Sequence, residues 1–519
     1  MTDYSTKRRK NVFAHEPDPN QRASEFNRFF ARFDEHDFSK RVTDTENELR
    51  ALEDSPVQIS EAEVLKQFQR INPRKATGPD GVNGHVLRRC ARQLAVPYYL
   101  LFQQSLDEKL VPRSWKASVI NPIPKNNRPV TNNDFRPIAL TSIVMKCFER
   151  IVLPKLIQPL REQLDSLQFA YQPKRSVQDA VLTLIQLIAK HTDASRCYAR
   201  TMFVDFSSAF NTIQPCILMN KLRQLNVKPS LILWISDFLN YRTQKVKVGE
   251  FMSDEIVTFT GSPQGCVLSP TLFILYTNDC VSHVNSVHVL KYADDTALVG
   301  LIGPNGDESE YRTSVDSFVS YCGENHLKLN VGKTKEIVFD FRKKKNVNPY
   351  DNPVRIDDSD VEIVHSYKYL GTIVDSQLSW GEHVKGLVTK CNQRLYFLRK
   401  LRSFHVDRTI MNLFYATVIE SVMTFDCTVW FKNAKRKDTQ KLKRVTKQAG
   451  KIIQKVIDLD KICEEIVGKK AICLTNDATH PLNRYYEKLQ SGRRWRSERA
   501  RTTRYSNSFI PHSIRILNT

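Results

Sequence analysis

The chain has 519 residues, room for roughly two to four packed units, and its 41% hydrophobic and 26% charged residues are the ordinary balance of a folded protein. It contains no apolar run near the roughly 18 residues that span a bilayer and no apolar signal-peptide core at its N-terminus, so membrane-spanning and secreted readings are excluded and an intracellular one is expected. Against 56 Asp and Glu stand 78 Lys and Arg, a formal charge of +22 that calls for a polyanionic partner, nucleic acid ahead of an acidic membrane.

Residues 1–54 are polar and weakly periodic and are expected to form a basic arm. Its cluster Lys7, Arg8, Arg9 and Lys10 is either an import signal or a solvated charge run. Folded structure is expected from "ISEAEVLKQFQRI", where Ser60 can cap a helix with Glu63 three residues on, and Val64, Leu65 and Phe68 share a face. Gly78 to Gly81 mark a turn, followed by a helix around Leu87 to Leu110. The prolines of "SVINPIPKNNRPVTNNDFRPIAL" then impose an extended segment. Apolar spacing of three and four predicts helices near Ser142 to Leu160 and Ser176 to His191.

The middle of the chain alternates strands with helices. "RTMFVDFSSAF" reads as a strand entering a helix, "QKVKVGEFMSDEIVTFTG" as a hairpin, and "SVHVLKYADDTALVGL" as a second hairpin turning near two aspartates. After Trp380 the pattern is helical and strongly basic, and "SGRRWRSERARTTRYSNSF" reads as an Arg-dense surface element or tail. The eleven cysteines are scattered like reduced thiols, and Cys463, Cys473 and His480 lack the spacing of a zinc knuckle. The fold class expected is α+β.

The chemistry is expected from carboxylates. In "VLKYADDTALVG", Asp294 and Asp295 interrupt an apolar run, and in "MFVDFSSAF" Asp205 ends another. Like charges in a half-buried strand repel and lose hydration, a cost that a hard divalent cation offsets. If the two strands lie side by side, Asp205 and Asp294 converge on cations able to assist phosphoryl transfer. For the aspartate pair alone, a solvated turn is the ordinary alternative.

The set of motifs resembles the reverse transcriptases of non-LTR retrotransposons, LINE-type elements of the jockey and chicken-repeat kind. "YADD" is similar to that family's signature, "FVDFSSAFNTI" and "GSPQGCVLSPTLFILYTNDC" to its first two palm motifs, "HLKLNVGKTKEIVF" to its lysine-bearing motif and "YKYLGTIVDSQLSW" to its primer grip. "NPRKATGPDGVNGHVLRRCA" and "NPIPKNNRPVTNNDFRPIALTSIVMKCFERIV" resemble its finger motifs, and the ordered match runs from about Asn72 to about Trp380.

The resemblance implies a right-hand polymerase with fingers, an antiparallel palm sheet and a helical thumb, plus a basic C-terminal extension. The expected boundaries are 1–54 for the arm, 55–380 for fingers and palm, 381–460 for the thumb and 461–519 for the C-terminal region. It implies Asp205, Asp294 and the carbonyl of Phe206 as metal ligands, with Asp295 in support. It further implies Lys333 as general acid toward pyrophosphate, Lys125 and Arg136 as triphosphate grips, Phe210 as a steric gate against ribonucleotides, and Gln264 and Gly265 at the incoming nucleotide. Two Mg²⁺ ions are implied, with Mn²⁺ as a substitute. The implied partners are an RNA template, a DNA primer or RNA–DNA hybrid and dNTPs, with no membrane, in the nucleus, the cytoplasm or both.

Elements of this type usually carry an endonuclease, for which the arm is expected to be too short, and no ribonuclease H pattern follows the expected thumb. The alternative is a catalytically idle, element-derived nucleic-acid-binding protein.

Overall fold

A computed structural model describes residues 19–34, 38–52, 54–343 and 348–519. In chain order, β1 (Ser118–Pro124) and β2 (Phe135–Thr141) form a hairpin, and β3 (Tyr198–Val204) follows the long helix Val177–His191. Then come β4 (Arg242–Val248), β5 (Phe251–Met252), β6 (Ile256–Thr258), β7 (Val287–Tyr292), β8 (Asp295–Ile302) and β9 (Lys335–Phe339). The architecture is mixed helix and sheet, and the chain divides into two compact units assembled from discontinuous segments.

The first unit comprises residues 1–164, 208–277 and 325–328. Its sheet runs β2-β1-β4-β5, with β6 also paired to β4. Prolines 122 and 124 are tolerated in β1 because its pairing with β4 covers only Ser118 to Ile120, so the missing N–H groups fall beyond that ladder. The helix Glu61–Gln69 starts at the expected capping box: Ser60 Oγ accepts from Glu63 N at 3.3 Å and Glu63 Oε2 from Ser60 N at 2.8 Å. The helix expected over Leu87 to Leu110 is two, Gly84–Arg89 and Ala91–Glu108, broken at Cys90, whose backbone leaves the helical region.

The arm expected over residues 1–54 is mostly helical where it is described. Its described part holds the helices Pro19–Ala31 and Ser39–Arg50, and the first is part of the core. Phe26 and Ala23 are fully buried and pack with Phe30, Ile120, Phe135 and Val246. Asn27 Nδ2 donates to Ser253 Oγ at 3.0 Å and Asp254 O at 2.8 Å. The apolar spacing Ala23, Phe26 and Phe30 carries this helix despite its polar neighbours. The basic cluster Lys7 to Lys10 lies outside the described residues.

The second unit comprises residues 165–207, 278–324 and 329–519. Its sheet runs through β9, β3, β8 and β7, with a short strand Glu362–Ile363 outside β9. Every residue of β3 is buried. The helix Val177–His191, entered through a capping box of Ser176 and Asp179, contributes Val181, Leu184 and Ile188 to the core shared with Phe203, Ala297 and Ile337. Charge also enters that sheet: Arg200, fully buried, pairs with Glu336 at 2.6 Å and Glu308 at 2.8 Å, which pins β3 to β9 in one register.

Two further expectations change in detail. No α-helix follows Asp205; Ser208 sits in the left-handed region at φ 59, only a 3₁₀ turn at Ala209–Asn211 forms, and the next helix starts at Pro215. The boundary at 460/461 falls inside the helix Leu459–Thr475, and the expected tail ends in the helix Phe509–Leu517, whose Ile510 and Ile514 are fully buried in the same core as Leu442 and Val467. Among the described residues, no helix is long and apolar enough to cross a membrane.

Candidate active site

In the second unit, β3 and β8 are antiparallel with Val204 opposite Thr296, so the next step in register sets Asp205 opposite Asp295. The β7–β8 hairpin pairs Tyr292 with Asp295 and turns through Ala293 and Asp294, which places Asp294 at the same sheet end. Ala293 takes a left-handed φ of 57, a strained choice for a residue with a Cβ, and Gln168 braces the turn by accepting from Ala293 N at 3.2 Å. Lys291, buried beneath the hairpin, donates to Cys280 O at 2.8 Å and pairs with Asp165 at 2.9 Å.

The backbone at Asp205 is fixed from the other side. Its carbonyl accepts from Asn330 N at 2.8 Å, its N–H points to Thr334 Oγ1 at 3.4 Å, and Phe206 forms an isolated antiparallel bridge with Leu329. The same turn carries Lys333, whose Nζ is 3.9 Å from Asp205 Oδ2 with both side chains solvated, an ion pair worth about 0–1 kcal/mol.

The charge of Asp205 acts on both of its acidic neighbours. Burial and then the charge of Asp205 raise the Asp294 carboxyl above its ordinary range; burial, Asp294 and Asp205, in that order, push Asp295 up to about 6. Tyr367, stacked on Phe203 with ring centroids 4.4 Å apart, is raised by burial and then by Asp295 and Asp205, so the tyrosines of "YKYLG" neighbour the acidic cluster.

Among the described residues, no three His, Cys, Asp or Glu side chains close into a ready-made cage for a cation. A Mg²⁺-like ion, however, is typically held by one or two carboxylates and completes its shell with substrate phosphates. The crowded negative charge at residues 205, 294 and 295 is the electrostatic counterpart such an ion requires, and the donor set is all oxygen, as hard cations prefer. Cys463 is buried on its helix, and His480 Nε2 lies 2.9 Å from Asp179 Oδ1.

The expected nucleotide contacts Lys125, Arg136, Phe210, Gln264 and Gly265 all belong to the first unit. Arg136 is exposed on β2 opposite Ile123 of β1. Lys125 begins the connecting loop, its Nζ donating to Asn133 O at 2.6 Å. The ring of Phe210 lies 5.2 Å from that of Phe273, and Phe210 O accepts from Ser262 N at 2.8 Å.

Gln264 O accepts from Ala139 N at 2.9 Å, which ties its loop to β2. Gly265 has φ +134, and a Cβ there would stand 2.6 Å from Ala139 O, so the close approach needs glycine.

Two residues that support this loop were not expected from sequence. Glu149, fully buried, accepts from Val267 N at 2.6 Å and Leu268 N at 2.8 Å, and burial pushes its carboxyl up to about 7. Arg242 donates through Nη2 to Thr260 O at 2.9 Å and Gly261 O at 3.1 Å, and burial lowers it to about 10. In "KCFERIV" Glu149 stands beside Lys146 and Arg150, so nothing local distinguishes it from a solvated helix charge.

Comparison with known proteins bears on the same segments. Residues 123–374 match the family described as reverse transcriptase (RNA-dependent DNA polymerase). Residues 380–421 match the N-terminal family of alkylated DNA repair protein alkB homolog 8.

The probable RNA-directed DNA polymerase from transposon BS of Drosophila melanogaster is 25% identical over 72% of this chain and 42% of its own length. The RNA-directed DNA polymerase from mobile element jockey of Drosophila melanogaster is 25% identical over 63% and 36%. A retrovirus-related Pol polyprotein from type-1 retrotransposable element R1 of Bradysia coprophila is 26% identical over 73% and 38%. The chain spans less than half the length of these relatives.

Proposed function

We propose that this chain, which carries a reverse transcriptase domain of the kind found in non-LTR retrotransposons, is an RNA-directed DNA polymerase that adds dNTPs to a primer 3′-hydroxyl. The observation that supports it is the strand register that brings Asp205, Asp294 and Asp295 to one sheet end, where the charge of Asp205 raises the other two carboxyls. In this reading the second unit's sheet is the palm, the hairpin of β1 and β2 belongs to the fingers, and the basic helices after Trp380 form the thumb.

Asp205, Asp294 and the Phe206 carbonyl would hold two divalent cations, Mg²⁺ or Mn²⁺, which when bound supply the charge stabilisation that in-line attack on the α-phosphorus needs. Asp295 adds negative charge beside that pair. Lys333, whose Nζ lies 3.9 Å from Asp205 Oδ2, would give a proton to departing pyrophosphate. Arg136 offers a forked guanidinium and Lys125 an ammonium to the triphosphate. The Phe210 ring would exclude a ribose 2′-hydroxyl, while Gln264 and Gly265 present a rigid loop to the nucleotide. The thumb's lysines and arginines would track the phosphates of an RNA–DNA hybrid, a sequence-independent contact.

Incubating the purified chain with a DNA primer on an RNA template, dNTPs and Mg²⁺ or Mn²⁺ tests the proposal. Template-length extension is the expected result. Binding of the hybrid without extension in either metal would reduce the protein to a nucleic-acid-binding one.

A further inference from the structure

The C-terminal region past the last thumb helices, read from sequence as an Arg-dense surface element or tail, is well built. Residues 487–496 form a hairpin-like loop: Arg496 N donates to Glu487 O at 2.7 Å, Leu489 N donates to Arg494 O at 2.9 Å, and Gly492, at φ +69, turns the tip. Trp495 N donates to Asn518 Oδ1 at 2.8 Å and Asn518 Nδ2 to Trp495 O at 3.0 Å, which fixes the loop to the buried helix Phe509–Leu517. The following strand of chain is clipped to the end of the helix Val177–His191, where the Asp193 carboxylate accepts from Arg501 N and Thr502 N, both at 2.8 Å.

These elements enclose an open groove of about 980 Å³ whose cationic wall includes Lys190, Arg484, Arg496, Arg499 and Arg501. Three acidic residues also line it, and all are engaged: Glu498 with Lys190 at 2.9 Å, Glu487 with Arg496 at 3.0 Å, and Asp193 with the backbone. Among the described residues, no carboxylate pairs with the guanidinium of Arg499 or Arg501. Arg499 and Arg501, both exposed, therefore give this open groove positive charge that no carboxylate among the described residues pairs with.

Its position separates it from the carboxylates. His191 at the end of the helix lies 2.8 Å from Ile302 O, and Ile302 pairs with Tyr198 at the opposite end of β3 from Val204. Seven residue steps from Tyr198 to Asp205, at about 3.3 Å each, put that end roughly 23 Å from Asp205.

We propose that this groove is a second nucleic-acid site, which grips a short single-stranded RNA segment by its phosphates, remote from the carboxylates. The proposal rests on the reading of the chain as a protein that handles RNA. Single strands suit it because their splayed phosphates and bases can enter a groove of this size and lie against arginine planes. Such a grip would retain the template strand, or another part of the same RNA, while synthesis proceeds at the far end of the sheet.

The test uses the full chain and an unstructured fluorescein-labelled oligonucleotide, as RNA and as DNA, with a saturating short primer–template duplex present. The double variant Arg499→Glu/Arg501→Glu should weaken RNA binding about tenfold and reduce the log–log salt slope by about 1.4, roughly 0.7 for each phosphate that is no longer neutralised. The double variant Arg499→Gln/Arg501→Gln, which adds no negative charge, should show the same slope change with a smaller fall in affinity.

A 4-thiouridine RNA should crosslink to the peptide containing Tyr485, which lines the groove, in the parent and fail to do so in the variants. An equal weakening for DNA supports a site that reads phosphates, and a weakening confined to RNA supports added recognition of the 2′-hydroxyl. Unchanged affinity and salt slope, or a defect seen only with anionic vesicles, would overturn the proposal. Extension of the short duplex, measured separately, should stay at the parental rate. Its absence in the parent would count against the polymerase reading and not against this groove.

Discussion

Gly265→Ala offers a sharp test of how the nucleotide loop is held. The added methyl would lie 2.6 Å from Ala139 O, against about 3.3 Å for an ordinary carbon–oxygen contact, and the residue would have to keep φ near +134. A backbone held in a glycine-only region costs about 1–3 kcal/mol, and the overlap with a carbonyl fixed in β2 adds to it, for a total of roughly 3 kcal/mol. The cheapest escape is to release the bond from Ala139 N to Gln264 O and let the loop move off the strand. Since about 1.4 kcal/mol is a factor of ten, kcat/KM for a dNTP should fall about 100-fold. Single-nucleotide incorporation with a dNTP titration measures it, and urea unfolding confirms that the variant remains cooperatively folded. A folded variant whose kcat/KM stays within about twofold of the parent would refute the reasoning.

Asp295 has a folded pKa raised from 3.8 to about 6, so the folded chain keeps its proton longer than the unfolded one, and stability falls as pH rises from about 4 through about 6. Discounted for the exposure of this side chain, the cost above that window is about 1 kcal/mol. Asp295→Asn should therefore be more stable than the parent by that amount in metal-free urea unfolding near pH 7.5, with the gap closing at about pH 4; a variant of equal or lower stability near pH 7.5 contradicts the charge crowding. Phe26→Ala, which empties a site between Phe30 and Phe135, should cost about 3–5 kcal/mol in urea unfolding, whereas a cost under about 0.5 kcal/mol would return that helix to the status of a loose arm. Phe210→Val should admit ribonucleotides in primer extension, and an unchanged dNTP to rNTP preference removes its role as a gate.

What could be read from the sequence depended on whether a local pattern carried the information. The strands that lead to Asp205 and Asp294 were legible because each is an apolar run interrupted by a carboxylate; Ser60 marked its helix start through a capping residue at the right spacing, and apolar spacing marked the helix after Ser176. Helix Pro19–Ala31 was hidden because Arg22, Glu25 and Arg28 dilute its apolar face. Nothing local discloses that Ser208 would adopt a left-handed backbone and cut short the helix expected after Asp205. Arg200 reads as an intrusion in a strand until Glu336, more than a hundred residues on, supplies its counter-charge. The two units could not be read at all, since each gathers segments from distant parts of the chain.

The most direct measurement compares the parent with Asp294→Asn on a primed RNA template in Mg²⁺, following both primer extension and hybrid binding. The account predicts that extension is abolished while hybrid affinity stays within about threefold, because the carboxylate serves the cation and the basic surfaces serve the hybrid. Extension by Asp294→Asn at the parental rate would contradict it.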